Sequence, residues 1–245
     1  MSKFSLPTET VELPSKGLLY PESSPLSKGK IEMKYMTAKE EDILTNNNYI
    51  QDGTALDKAI QSLIVDKSIK YGDLLVGDKN ALMIAARILS YGKDYPIYYA
   101  GKDYLVDLST LENKELDEDL FKDGNSITLK LPNTDNTVTI KLLSHSDQTV
   151  IDEEVEGKKK LEPKSDYSTS TRLKHIITSI NGEKDAATIR DFVDNGLTAN
   201  DGRWIRTRYA ELQPDVKLVH RPDGPGSEEV PIPIGIGFFY PSMPQ

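Results

Sequence analysis

His145, His175 and His220 are the only imidazoles in the chain, and imidazole is the usual general base or metal ligand near neutral pH. They fall in separate stretches without HxH, HExxH or HxxxH spacing, so the sequence predicts no metal site. Cysteine is absent. That excludes disulfides, thiolate nucleophiles and cysteine-ligated zinc, and no GxSxG elbow occurs. Acid runs such as Glu40-Glu41-Asp42 sit where helices begin, and there a carboxylate answers the helix dipole. A glycosidase pair would have to face across a cleft, which spacing along a chain does not reveal. Gly77-Asp78-Lys79 at a helix start could meet a phosphate. It lacks the glycines of a P-loop, and a plain cap at Asp78 accounts for it. Gly235-Ile236-Gly237 is no dinucleotide fingerprint, because no helix is expected after it. The expectation is a protein that is not an enzyme, with no catalytic residues, metal, cofactor or small-molecule substrate.

Two basic constellations raise a rival reading, a nucleic-acid-binding module. Trp204 among Arg203, Arg206 and Arg208 has the make-up of a base-stacking surface. Lys158-Lys159-Lys160 has that of a phosphate contact. The plainer reading is a core tryptophan with arginines outside it, and a lysine run where a helix C-terminus favours positive charge. The formal net charge of −9, from 39 acids and 30 bases, also argues against a general nucleic-acid binder.

These residues need elements to position them. A chain of 245 residues, 37% hydrophobic, can bury one large core or two small ones. The opening MSKFSLPTETVELP lacks the apolar stretch of a signal peptide. No run approaches the roughly 20 apolar residues of a membrane span. Over residues 1–30, Pro7, Pro14, Pro21 and Pro25 with Gly17 and Gly29 predict an extended, irregular arm. Its Leu13, Leu18, Leu19, Tyr20 and Leu26 need cover, from the body of the protein or from a partner. Lys30–Met36 alternates as a half-buried strand, and Thr37 with Glu40 forms a capping box. NNNYIQDGT reads as a polar loop, followed by helices over about 55–65 and 79–91, the second capped by Asp78. Tyr95–Leu108 reads as a hairpin about Ala100–Asp103, and 109–123 as an acidic surface stretch. The clearest strand pair lies within 126–143. Helices are then expected to about Lys160 from Ser146 or Asp147, and over 172–180, 186–194 and 200–213. Two tail strands, Val216–His220 and Val230–Tyr240, close the chain. On the second, Phe238, Phe239 and Tyr240 cannot all face inward, since strand neighbours alternate.

The fold class expected is α+β: helical layers with antiparallel β-hairpins and an extended N-terminal arm. Three parts are expected: the arm over 1–30, an α+β body over 31–160, and a helical segment ending in a C-terminal hairpin over 161–245. Candidate anchors for a partner are Leu13, Leu19, Tyr20, Phe238, Phe239 and Tyr240, on the ground that aromatics dominate contact hot spots.

Three blocks carry a resemblance. LPSKGLLYPESSPLSKGKIEMKYMTAKEEDILTN resembles the start of the T-even-type phage baseplate hub family, described as hub subunits or hub assembly proteins. LDKAIQSLIVDKSIKYGDLLVGDKNALMIAARILSYG and the ending EEVPIPIGIGFFYP are similar to the same family. The resemblance implies a protein that builds the centre of a contractile tail's baseplate. Its implied partners are other baseplate hub or tape-measure proteins. It implies assembly in the host cytoplasm, then either a place in the virion tail baseplate or departure as an assembly factor, with no catalytic residues to transfer. The zinc knuckle that paired cysteines form in some relatives has no counterpart in YPIYYAGKDYLVDL.

Overall fold

The computed structural model describes residues 6–222 and 228–239. The arm is more regular than its prolines suggest. TETVE forms a strand, β1 (Thr8–Glu12), which pairs antiparallel with β2 (Lys30–Lys34) from Thr8↔Lys34 to Glu12↔Lys30. The segment between them closes into a loop. The Leu13 N–H donates to the Gly29 carbonyl at 2.8 Å. Gly17 and Gly29 both take positive φ and cross so closely that a Cβ on Gly17 would sit 2.3 Å from the Ser27 carbonyl oxygen. Only glycine tolerates that conformation and that approach together.

The first helices follow from their caps. The Thr37 box with Glu40 starts α1 (Ala38–Leu44). Asn46 then accepts from the Asn48 and Tyr49 N–H groups and starts α2 (Asn47–Gln51), where a loop was expected. In α3 (Ala55–Leu63) the stripe Ala59, Ile60 and Leu63 is buried. Next, α4 (Val76–Tyr91) begins three residues before the position expected. Asp78 therefore lies inside its first turn and is not its cap. Gly92 follows the helix at positive φ.

The hairpin pairs β3 (Asp94–Tyr99) with β4 (Lys102–Asp107). Ala100 and Gly101 both take positive φ, as a two-residue turn between strands requires. A second sheet holds β5 (Ile127–Lys130) against β6 (Thr137–Ile140). Ser144 caps the long α5 (His145–Leu161), and α6 (Ser168–Ile176) packs beside it. The helix expected over 172–180 stops at Ile176. ITSI becomes β7 (Ile177–Ile180), the third strand, beside β6. β-Branched residues favour that outcome. Asp185 caps α7 (Ala186–Asp191), which runs into a π turn over Phe192–Gly196. Thr198 caps α8 (Ala199–Leu212).

The tail corrects the expectation of a long strand. Only two residues pair on each side, β8 (Val219–His220) with β9 (Val230–Pro231), and the chain then turns into α9 (Ile236–Phe239). Neighbours on a helix lie about 100° apart rather than on opposite faces. Phe238 and Phe239 are therefore both buried, and their rings meet edge to face at 5.6 Å. Tyr240 lies outside the described residues.

Buried apolar residues form two clusters, and the result is α+β. The first takes Leu13 and Leu26 from the arm, the inner faces of α3, α4 and the hairpin, and the tail residues Val216, Ile232, Phe238 and Phe239. The second takes Leu19 and Leu75 with residues from Phe121 to Leu212. These clusters cut across the divisions at 30/31 and 160/161, because the arm feeds both clusters and the tail returns to the first. At the seam, Leu75 bridges Ser144, and the His145 N–H donates to the Leu74 carbonyl at 2.7 Å. Gly77 packs on the chain after α8. A Cβ there would lie 1.8 Å from the Pro214 carbonyl oxygen. Gly77→Ala is expected to cost about 1–3 kcal/mol through this backbone clash. Thermal unfolding followed by circular dichroism checks it, and an unchanged midpoint would show the seam to be looser than described.

Candidate functional site: buried carboxylates and the surface they leave

Among the described residues three acids are fully buried, Glu40, Asp78 and Asp201. Each is the third residue of its helix, α1, α4 and α8 in turn. There the unpaired N–H groups and the helix dipole favour negative charge. Each carboxylate also reaches a distant segment. Asp78 takes the Ser15 N–H at 2.9 Å, the Ser15 hydroxyl at 2.7 Å and the Tyr20 hydroxyl at 2.6 Å. The Tyr20 oxygen in turn accepts from the Leu75 N–H at 2.9 Å. Burial pushes the Asp78 carboxyl above the usual range, and the Tyr20 and Ser15 donors pull it partly back. Burial and the neighbouring Asp78 push the Tyr20 phenol far up, so it stays a donor.

Glu40 accepts from the Thr37 N–H and hydroxyl, from Lys34 at 3.1 Å and from Ser62 at 2.9 Å, tying β2, α1 and α3 together. Burial alone would raise its carboxyl. The bonds from Thr37, Lys34 and Ser62 outweigh it and hold the group at about 2. Asp201 accepts from the Asn133 N–H and the Thr134 hydroxyl, each at 2.9 Å, and so fixes the turn between β5 and β6.

The tail is held by a cation. Arg87 on α4, 2% exposed, donates to the carbonyls of Phe238 at 3.1 Å, Gly92 at 2.7 Å and Asp94 at 3.2 Å. Its guanidinium also lies against the rings of Tyr91 and Tyr95. One helix thus grips both ends of the chain, the arm through Asp78 and the tail through Arg87.

This placement corrects the candidate anchors. Leu13, Leu19, Phe238 and Phe239 are buried in the chain's own core, and Tyr20 is half-buried against α4. Cover comes from the body, so the four buried side chains offer no free surface. Among the apolar side chains that stay exposed are two on the outer face of the β3–β4 hairpin, Tyr98 at 74% and Leu105 at 65%. Period-two alternation across Tyr95–Leu108 was the signal for them, since Tyr95, Ile97 and Val106 point the other way into the core.

The basic constellations come apart. Trp204 packs against the second cluster. Arg208 pairs with Glu211 at 2.6 Å, and Lys158 with Glu154 at 2.7 Å. Lys160 approaches Glu156 at 3.8 Å. Arg203 and Arg206 line a shallow groove with Lys114. The histidines remain apart. His145 meets Asp57 at 3.3 Å and Lys79 at 3.3 Å, and burial together with Lys79 lowers its pKa. His175 meets Glu154 at 2.9 Å, and His220 lies near the Tyr104 ring. Among the described residues no cluster of three or more His, Asp and Glu could hold a metal ion. None of their helices is long and apolar enough to cross a membrane.

What the described residues define is an α+β scaffold whose buried polar groups clasp its own arm, turns and tail. The family model for T4 bacteriophage base plate protein matches residues 7–195, from the arm into the π turn. The chain belongs to that family and is a phage baseplate protein, set among other phage structural proteins. No curated protein and no solved structure matches it.

Proposed function

We propose that the chain is a hub component, or a hub assembly factor, of a contractile-tail baseplate, and that it acts through protein–protein contacts without catalysing a reaction. The observation that carries this reading is the family match, which starts at the arm and reaches both core clusters. The likeness of the Leu13–Asn46 block to hub proteins supports the hub in particular. The use of the buried acids as clasps supports a scaffold. With arm and tail committed to the core, contacts fall to the outer surface. Assembly takes place in the host cytoplasm, next to hub or tape-measure proteins.

Mass spectrometry of purified tails, with affinity capture of the tagged chain from infected cells, tests this reading. Recovery of hub or tape-measure proteins is expected. Recovery of neither sinks the proposal. Presence in finished tails assigns a resident subunit, and absence from tails with capture of hub proteins assigns a factor that leaves.

A further inference from the structure

The groove beside α8 is chemically unlike the rest of this acidic chain. Arg203 and Arg206 sit one helical turn apart, about 5–6 Å between Cβ atoms, on the face opposite the buried Ile205, Tyr209 and Leu212. Lys114 joins them from another segment. Its N–H donates to the Asp215 carbonyl at 2.8 Å, and the Lys217 N–H donates to the Glu112 carbonyl at 2.8 Å, so a short ladder fixes that segment beside the end of α8. The three cations line a groove of about 530 Å³ floored by Thr207 and Ala210. Among the described residues none of the three side chains has an ion pair or hydrogen bond. The acid at the rim, Glu211, is held by Arg208 at 2.6 Å and does not neutralise them.

We propose that this groove binds an acidic segment of a neighbouring baseplate protein, its carboxylates bridging the two guanidiniums and the Lys114 ammonium. This names the chemistry of one partner and rests on the baseplate reading above. Guanidinium forks match carboxylates in two-point geometry, and complementary charge fixes register more than it adds raw affinity. Two arginines one helical turn apart and a lysine facing them suit one or two carboxylates. A nucleic acid presents a charge about every 1.7 Å and needs a longer basic track. The ring that could stack a base, Trp204, packs against the second core cluster. A second copy of this chain is disfavoured, since its net charge of −9 repels its own kind. Its acidic stretch is also partly engaged, by Glu118 with Lys16 and by Asp119 with Lys122.

Fluorescence anisotropy with a labelled oligoglutamate peptide at low salt tests the groove on the full chain. Binding is expected, weakened about tenfold or more in R203A/R206A and unchanged in Lys184→Ala, an exposed cation elsewhere. Arg206→Glu gives a second, charge-reversed reading, and circular dichroism confirms that each variant folds. The proposal is overturned by absent peptide binding, or by binding that R203A/R206A leaves intact. DNA that displaces the peptide and loses its own binding in R203A/R206A would transfer the groove to nucleic acid. Self-association abolished by the same variant would transfer it to a second copy. Any of these leaves the baseplate reading standing, because presence in tails is measured without the groove.

Discussion

Asp78→Ala is expected to lower stability by about 3 kcal/mol and to open the arm to protease. The substitution strands the Ser15 N–H, the Ser15 hydroxyl and the Tyr20 hydroxyl in a buried site. Each unpaired group costs about 1–3 kcal/mol. Removing a buried carboxylate also relieves its desolvation, so the net loss falls below the sum. At two to four degrees per kcal/mol for a chain of this size, the midpoint should drop by about 10 °C. Tyr20→Phe breaks only the link from Asp78 to the Leu75 N–H and should cost about half as much. Limited proteolysis followed by mass spectrometry reads the arm directly. Equal cleavage over residues 7–30 in Asp78→Ala and the parent chain would remove Asp78 as the clasp.

Glu40→Ala should do more, about 3–5 kcal/mol, since it leaves Lys34, Ser62 and the Thr37 N–H facing a void. The same site predicts an acid limb. Its carboxyl lies at about 2 when folded, against 4.5 for an unperturbed glutamate. A depressed carboxylate stabilises the fold above its unfolded pKa, and that contribution disappears as pH falls through the folded value. The contribution, about 3 kcal/mol at 1.36 kcal/mol per unit, should therefore be complete above pH 4.5 and vanish towards pH 2. Urea unfolding across that window should show the decline in the parent chain and a flatter profile in Glu40→Gln. Parallel profiles would refute the assignment.

Much of the fold was legible because its signals are local. The Thr37–Glu40 box, the α3 stripe and the hairpins are each decided within a short local stretch. The missed elements turn on ambiguous or distant information. Leu173, Ile176, Ile177 and Ile180 satisfy a helical stripe, yet they are buried just as well when the chain becomes a strand after Ile176. Proline and glycine made the tail read as extended, whereas its last described turn is helical. Glu40 and Asp78 read in the sequence as helix-start acids, and nothing local singles out Asp201. Position three of a helix explains their tolerance of charge. What they grip lies far away in sequence: Ser15 is 63 residues from Asp78, and Asn133 is 68 from Asp201. The groove cations were legible as Arg203 and Arg206, but Lys114 joins them only through tertiary pairing with Asp215.

The pairing of β1 with β2 also has a mechanical side. Thr8 lies opposite Lys34, the residue at which β2 leaves for α1, so the start of β1 and the exit of β2 into the body sit side by side. A force pulling Thr8 away from the body loads the strand bonds one pair at a time, as a zipper is opened, and not all together in shear. Peeling would run from Thr8 to Glu12 and halt at Leu13 and Ser15. There a buried leucine, the bond to Gly29 and the Asp78 clasp are loaded together. The arm thus combines a short yielding lead with a firm stop.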